Sequence, residues 1–304
     1  RRRHTRFRNV TGVQTCALPI LSLSNLAEFL AERGAPGDAE AAFAYNQRAL
    51  EIREVGLRAN PDSELAGRAV AITLHRLALL LNQRGQPGDT ETALAYIRRA
   101  LELNESYIRT SPDSADAARC VMVVLHELAH LLADRSQPGD SEAALAHTTR
   151  ALEIAETLLK AYPDSAEAAR DAASCLVGLA RKLDRRAQPG DADAALSSSQ
   201  RALDIGEVLL RANPNSVPDA RLVSDALVCL WDLLLQRGQA GDSEAALAYI
   251  LRAYELFQNL LVTGSASVSS RLVLCFAAVA RTITNHDGVL ANNPRAAQAR
   301  SEEH

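Results

Sequence analysis

The chain has 304 residues, a formal net charge of −4, 47% hydrophobic residues and only 4% aromatic ones. That is long enough and apolar enough to bury a substantial core, but the acidic balance disfavours a phosphate backbone as partner. No uninterrupted apolar run approaches the roughly 20 residues of a membrane-spanning helix, so no membrane partner is expected.

Residues 1–20 stand apart from the rest. Val10–Ile20 (VTGVQTCALPI) and Arg1–Arg6 (RRRHTR) match the translation of a sequencing-library adapter, and Arg300–His304 (RSEEH) matches its junction on the other strand. Residues 1–20 and 300–304 are therefore expected to be adapter-derived, and the protein proper to occupy residues 21–299, truncated at both ends. The basic run Arg1, Arg2, Arg3, Arg6 and Arg8 then carries no weight as a nucleic-acid arm or targeting peptide. Setting aside five positive charges at one end, and one positive and two negative at the other, takes the net charge from −4 to −8. Cys16 falls in the adapter. Cys120, Cys175, Cys229 and Cys275 lie far apart in apolar helical stretches with no CxxC pair, and read as buried free thiols suited to a cytoplasmic compartment.

From residue 21 onward the chain is periodic. Residues 21–33 predict a shortened first helix, closed by Pro36-Gly37-Asp38. A second helix follows and ends at Pro61-Asp62-Ser63. The first signal returns as Pro87-Gly88-Asp89, Pro138-Gly139-Asp140, Pro189-Gly190-Asp191 and Ala240-Gly241-Asp242; the second returns as Pro112-Asp113-Ser114, Pro163-Asp164-Ser165 and Pro214-Asn215-Ser216. Every step is 51 residues, the mark of a repeat architecture. Two turns per period leave two segments rich in Ala, Leu, Glu and Arg, good helix formers. The glycines suit positive φ, the Asp after each is placed to cap the next helix, and the Ser after each Pro can cap the one that follows.

The first helices carry columns at offsets of three and four: Leu23, Leu74, Leu125, Leu176, Leu227; Leu26, Leu77, Leu128, Leu179, Leu230; and Leu30, Leu81, Leu132, Leu183, Leu234. These lie on one helical face. The second helices carry Ala42, Ala93, Ala144, Ala195, Ala246 and, seven residues on, Ala49, Ala100, Ala151, Ala202, Ala253, where small side chains admit a close neighbour. One hairpin cannot cover its own apolar face, so the expected fold class is all-α, an α-solenoid of stacked antiparallel hairpins.

The pattern Leu74-x-x-Leu77-Ala78-x-x-Leu81, then Ala93-x-x-x-Ile97-x-x-Ala100 and Pro112, resembles the tetratricopeptide repeat. The resemblance runs from Leu21 to about Gly264, with a weaker copy beyond. The usual unit has about 34 residues, so each period here is about 17 longer and is similar to the longer-helix variants of bacterial multi-repeat proteins. The array is expected over residues 21–285, with a sixth first helix around residues 271–284, and residues 286–299 as a degenerate repeat or frayed tail.

Three patterns invite a chemical reading. His126-Glu127-Leu128-Ala129-His130 spells HExxH, in which two imidazoles share a helix face and could hold zinc with Glu127 as base. Yet Leu128-Ala129 repeats Leu26-Ala27, Leu77-Ala78 and Leu179-Ala180, His126 has a counterpart in His75, and no third ligand is identifiable. The structural reading is preferred, and zinc hydrolysis is the remote alternative. Arg48, Arg99, Arg150, Arg201 and Arg252 each precede an acid by three residues (Glu51, Glu102, Glu153, Asp204, Glu255) and read as surface ion pairs within one helix. Arg33, Arg84, Arg135, Arg186 and Arg237 read as helix-end charges set against the dipole. No phosphate loop, nucleophile elbow or paired carboxylate is present in the sequence, so neither enzyme activity nor a cofactor is expected.

The resemblance implies first helices lining a concave surface. Two columns there change freely: Asn25, Arg76, Glu127, Gly178, Cys229 and Glu28, Leu79, His130, Arg181, Asp232. A regular framework displaying irregular side chains suits capture of a protein or peptide. The expected function is a protein-interaction scaffold, with Arg76, Leu79, Glu127, His130, Arg181 and Asp232 as candidate partner contacts. The other reading is a regulatory array attached to an enzyme or signalling domain outside this chain. The sequence does not set the oligomeric state.

Overall fold

A computed structural model describes residues 22–31 and 33–262. The weaker repeat copy, the sixth first helix, Cys275 and the proposed adapter segments lie outside them. Among the described residues all regular structure is helical: α1 over residues 22–31, then α2 (Asp38–Ala59), α3 (Glu64–Arg84), α4 (Asp89–Thr110), α5 (Ala115–Arg135), α6 (Asp140–Ala161), α7 (Ala166–Arg186), α8 (Asp191–Ala212), α9 (Val217–Arg237) and α10 (Asp242–Val262). Odd-numbered helices are the first helices of the periods and even-numbered ones the second. The fold class is the expected one, built from helical hairpins stacked in chain order.

The chain divides into two compact bodies, Arg1–Ala151 and Leu152–His304. In the first, α2 packs on α3, α3 on α4 and α4 on α5; in the second, α7 packs on α8, α8 on α9, α9 on α10, and the first helices α7 and α9 also touch. Every alanine of the two second-helix columns is 0% exposed, which is where the helices approach most closely. Around them in the first body close Val70, Leu74 and Leu81 of α3, Leu94 and Ile97 of α4, and Val124, Leu128 and Leu131 of α5. A leucine so buried contributes about 1.5–3 kcal/mol. The leucine columns are buried with three departures: Leu23 and Leu179 are half-buried, and Leu26 is 40% exposed, with Phe29 of the same helix at 57%. Their counterparts Leu77, Leu80, Leu128 and Leu131 are covered by a preceding hairpin, which α1 does not have among the described residues.

The turns correct one sequence expectation and add to another. Gly37, Gly88, Gly139, Gly190 and Gly241 do hold φ between 85° and 88°. The Asp after each, however, does not cap the helix it begins. Its carboxylate turns back to accept from the N–H three residues earlier, Ala35, Gln86, Gln137, Gln188 or Gln239, at 2.8–3.0 Å. The same carboxylate accepts two bonds from the Arg five residues earlier: Nε at 2.8–2.9 Å and Nη2 at 2.5–2.7 Å. The column Arg33, Arg84, Arg135, Arg186, Arg237 is thus the other jaw of a clasp. The planar guanidinium matches the carboxylate fork, and that fit outweighs diffuse attraction to the helix dipole. The Asp side chains are buried although each stands at the first residue of its helix. At the other turn the expected cap is present: Ser63, Ser114, Ser165 and Ser216 accept from the N–H groups of Ala66, Ala117, Ala168 and Asp219.

The second-helix arginines also differ from expectation. Only Arg48 reaches Glu51 within its own helix. Arg99, Arg150, Arg201 and Arg252 instead reach back 45 residues to Glu54, Glu105, Glu156 and Glu207 at 2.6–2.8 Å. These glutamates, on the preceding second helix, are less exposed than the acids at i+3, so the longer reach finds a less screened partner.

Two measurements test the turns. The Arg135 hydrogen bonds hold the Asp140 carboxyl down to about 2 against the opposing effect of desolvation. The folded value lies below the ordinary one near 3.9, so the clasp's contribution is complete above about pH 4 and is lost as pH falls through about 2. Asp140→Asn should lower the Tm by about 2–4 °C near neutral pH, and the gap from the parent should close over that acid range. Each first helix ends in a left-handed residue, glycine at 34, 85 and 238 but Ser136 and Ala187 at φ 54° and 51°. Relieving the alanine by Ala187→Gly should stabilise the chain by about 0.5–1 kcal/mol in denaturant unfolding; a lower midpoint would rule out strain at this cap.

Candidate functional site

The two variable columns run along the first helices, three residues apart on each. In the first body, Arg76 Nη2 of α3 donates to Glu28 Oε2 of α1 at 3.2 Å, joining one column to the other. Leu79, Glu127 and His130 are half-buried. His130 Nε2 lies 3.1 Å from His126 Nε2 one turn earlier, with ring centroids 4.7 Å apart and the rings edge-on. In the second body Arg181 lies 3.8 Å from Asp225, and Asp232 is exposed. Gly178 and Cys229, in the same columns, are buried. Ser199 Oγ donates to Cys229 Sγ at 3.3 Å, and burial pushes the Cys229 thiol up. Cys175 is buried too, pushed up to about 12, chiefly by desolvation.

The first body also holds a cleft of about 160 Å³ between α3, α4 and α5. Ala71, Ile72, Val123 and Val124 give it an apolar wall, and Arg68, His75, Asp116 and Arg119 a polar one. Arg68 Nη2 donates to Asp116 Oδ1 at 2.9 Å across adjacent first helices. Asn104 of α4 donates to the carbonyl of Cys120 at 3.1 Å. Burial, with the charge of Arg76 adding to it, pushes His75 down and favours the neutral ring. Cys120 is only half-buried, unlike the expectation for it, and desolvation raises its thiol, which makes it a poor nucleophile. The arrangement suits holding an apolar side chain next to polar backbone.

The candidate list drawn from the sequence did not include Arg68, His75, Asp116 or Arg119. A signal existed: Arg68, Arg119 and Arg170 recur in phase, and an acid 48 or 49 residues on meets the first and third of them, Asp116 for Arg68 and Asp219 for Arg170 at 2.5 Å. Among the described residues no group of three His, Cys, Asp or Glu is placed to hold a metal ion. Nor, among them, is any helix long and apolar enough to cross a membrane.

No family model matches the chain, and no curated protein matches it. Solved structures do resemble it. The S. pombe nuclear import adaptor Nro1 superposes with a TM-score of 0.52 at 11% identity, over 94% of this chain and 95% of that one. A thermophilic TPR protein of Thermus thermophilus gives 0.42 at 16% identity, over 84% of this chain and 99% of that one. At such identities the likeness is one of fold, and Nro1 carries it.

The second-helix position that floors the cleft varies as strongly as the surface does. It reads Arg53, Asn104, Ala155, Gly206, Phe257 down the chain. Arg53 donates to Thr73 and, at 3.0 Å, to Ser24, tying α2 to two first helices. Asn104 bonds the α5 backbone beside the cleft. In the second body Gly206 lets α9 close in: a Cβ there would stand 2.9 Å from Val223 Cγ2 and 3.7 Å from Leu222. Gly206→Ala should therefore destabilise the fold by about 1–3 kcal/mol, and Val223→Ala in the same chain should recover part of the loss. Strictly additive losses in a double-mutant cycle would contradict the close approach.

Proposed function

We propose that the chain is a protein-interaction scaffold that takes a peptide or helix on the face formed by its first helices. The observation that supports this most is the cleft between α3, α4 and α5. It pairs an apolar wall, which includes Ala71 and Val124 of the core, with an Arg-Asp rim. A partner's apolar side chain would seat against Ile72 and Val123 while its backbone or polar groups meet the rim. Arg76, Leu79, Glu127 and His130 flank that seat in the first body. Arg181 and Asp232 offer the corresponding positions in the second. The division of labour favours binding over catalysis, since leucines and alanines hold the hairpins while neighbouring positions are left to differ from period to period. The likeness to Nro1, described as a nuclear import adaptor, agrees with a scaffold role.

The test is selection of peptide ligands from a random displayed library, followed by mapping. Ile72→Glu or Leu79→Glu should weaken selected ligands about tenfold or more. Arg201→Ala, on the second-helix ladder, should leave affinity unchanged. Ligands indifferent to both first-helix variants and lost with the ladder variant would place binding elsewhere.

A further inference from the structure

In α5 two imidazoles stand where the other periods hold one or none. The first position reads Ser24, His75, His126, Val177, Val228, and the second Glu28, Leu79, His130, Arg181, Asp232. Both histidines are half-buried on the same helix, one turn apart. Their Nε2 atoms are separated by 3.1 Å. Zinc binds imidazole nitrogen at about 2.0–2.1 Å, and two nitrogens at the observed separation would subtend about 100° at such an ion, inside the range from octahedral to tetrahedral coordination. From this we propose that His126 and His130 form a two-imidazole site for a divalent ion of the zinc class. Loading forms two metal–nitrogen bonds in place of metal–water bonds of the hydrated ion, whose displaced waters return to solvent. It breaks the Nε2–H···Nε2 hydrogen bond between the rings, and the donor ring moves its proton to Nδ1, so the protein's net charge is unchanged.

The site differs from a hydrolytic centre. Glu127 follows His126 directly in the helix and therefore points about 100° around the axis from it. Among the described residues no third ligand joins the pair. The remaining coordination positions go to water in the isolated chain. The inference does not depend on the scaffold reading, because it concerns metal alone.

Zinc is titrated into the full chain by calorimetry near neutral pH, and cobalt is used in parallel for its visible absorption. One ion should bind through this site, and His126→Gln and His130→Gln should each weaken that event about tenfold or more. Far-UV circular dichroism of both variants should match the parent, and a saturating zinc concentration should raise the Tm of the parent more than that of either variant. Glu127→Gln should bind as the parent does. Parent affinity weaker than about 1 mM, equal affinity in parent and histidine variants, or loss of binding in Glu127→Gln would each overturn the assignment.

Discussion

Close approach between paired helices is what the rest of the architecture depends on. Two alanines seven residues apart on each second helix, all 0% exposed, let the neighbouring helix come near enough for leucines to fill the space on either side. A larger residue at any of these points would have to displace a whole helix, because a packed interior has no slack to absorb it. The same geometry leaves each hairpin with an apolar flank that its own two helices cannot cover. Stability is therefore shared between successive periods rather than concentrated in one central core. Leu26 and Phe29 show the opposite condition, in which the usual columns lack a described neighbour.

Much of this was legible in the sequence because periodicity amplifies weak signals. One Leu-x-x-Leu is ambiguous; the same spacing returning every 51 residues fixes helix, face and hairpin together. Positive φ at the turn glycines was legible for the same reason, since an invariant glycine in a turn has a steric cause. What was not legible was the destination of long side chains. Spacing suggested that Arg99 meets Glu102, but an arginine spans the distance to the preceding helix as readily as one helical turn. The choice of Glu54 reflects local exposure, which no linear pattern records. Asp89 likewise looked like a cap, and only the path of the turn reveals Arg84 five residues back.

The candidate surface divides in the same way. The freely varying columns stood out because they broke the repeat; Arg76, Leu79, Glu127 and His130 in them are half-buried, and Gly178 and Cys229 are buried. The cleft could not be foreseen, because it arises where α3, α4 and α5 meet, with Asn104 of α4 among its lining residues. The contact between His126 and His130 required rotamers as well as spacing. Sequence placed both rings on one face of α5, and only coordinates bring the two nitrogens within hydrogen-bonding distance.

The Arg-Asp clasp closes over five residues of chain, and contacts to other periods, such as Arg135 with Glu91 or Arg84 over the Phe43 ring, are added to it. Each bend is thus specified by its own short stretch, with almost no loop-closure entropy to overcome. Hairpins can acquire their reversal before their faces find a neighbour, which lowers the mean sequence separation of the earliest contacts. Assembly then amounts to docking bends that already exist. Any period can serve as the seed, and order can spread from it in both directions along the chain.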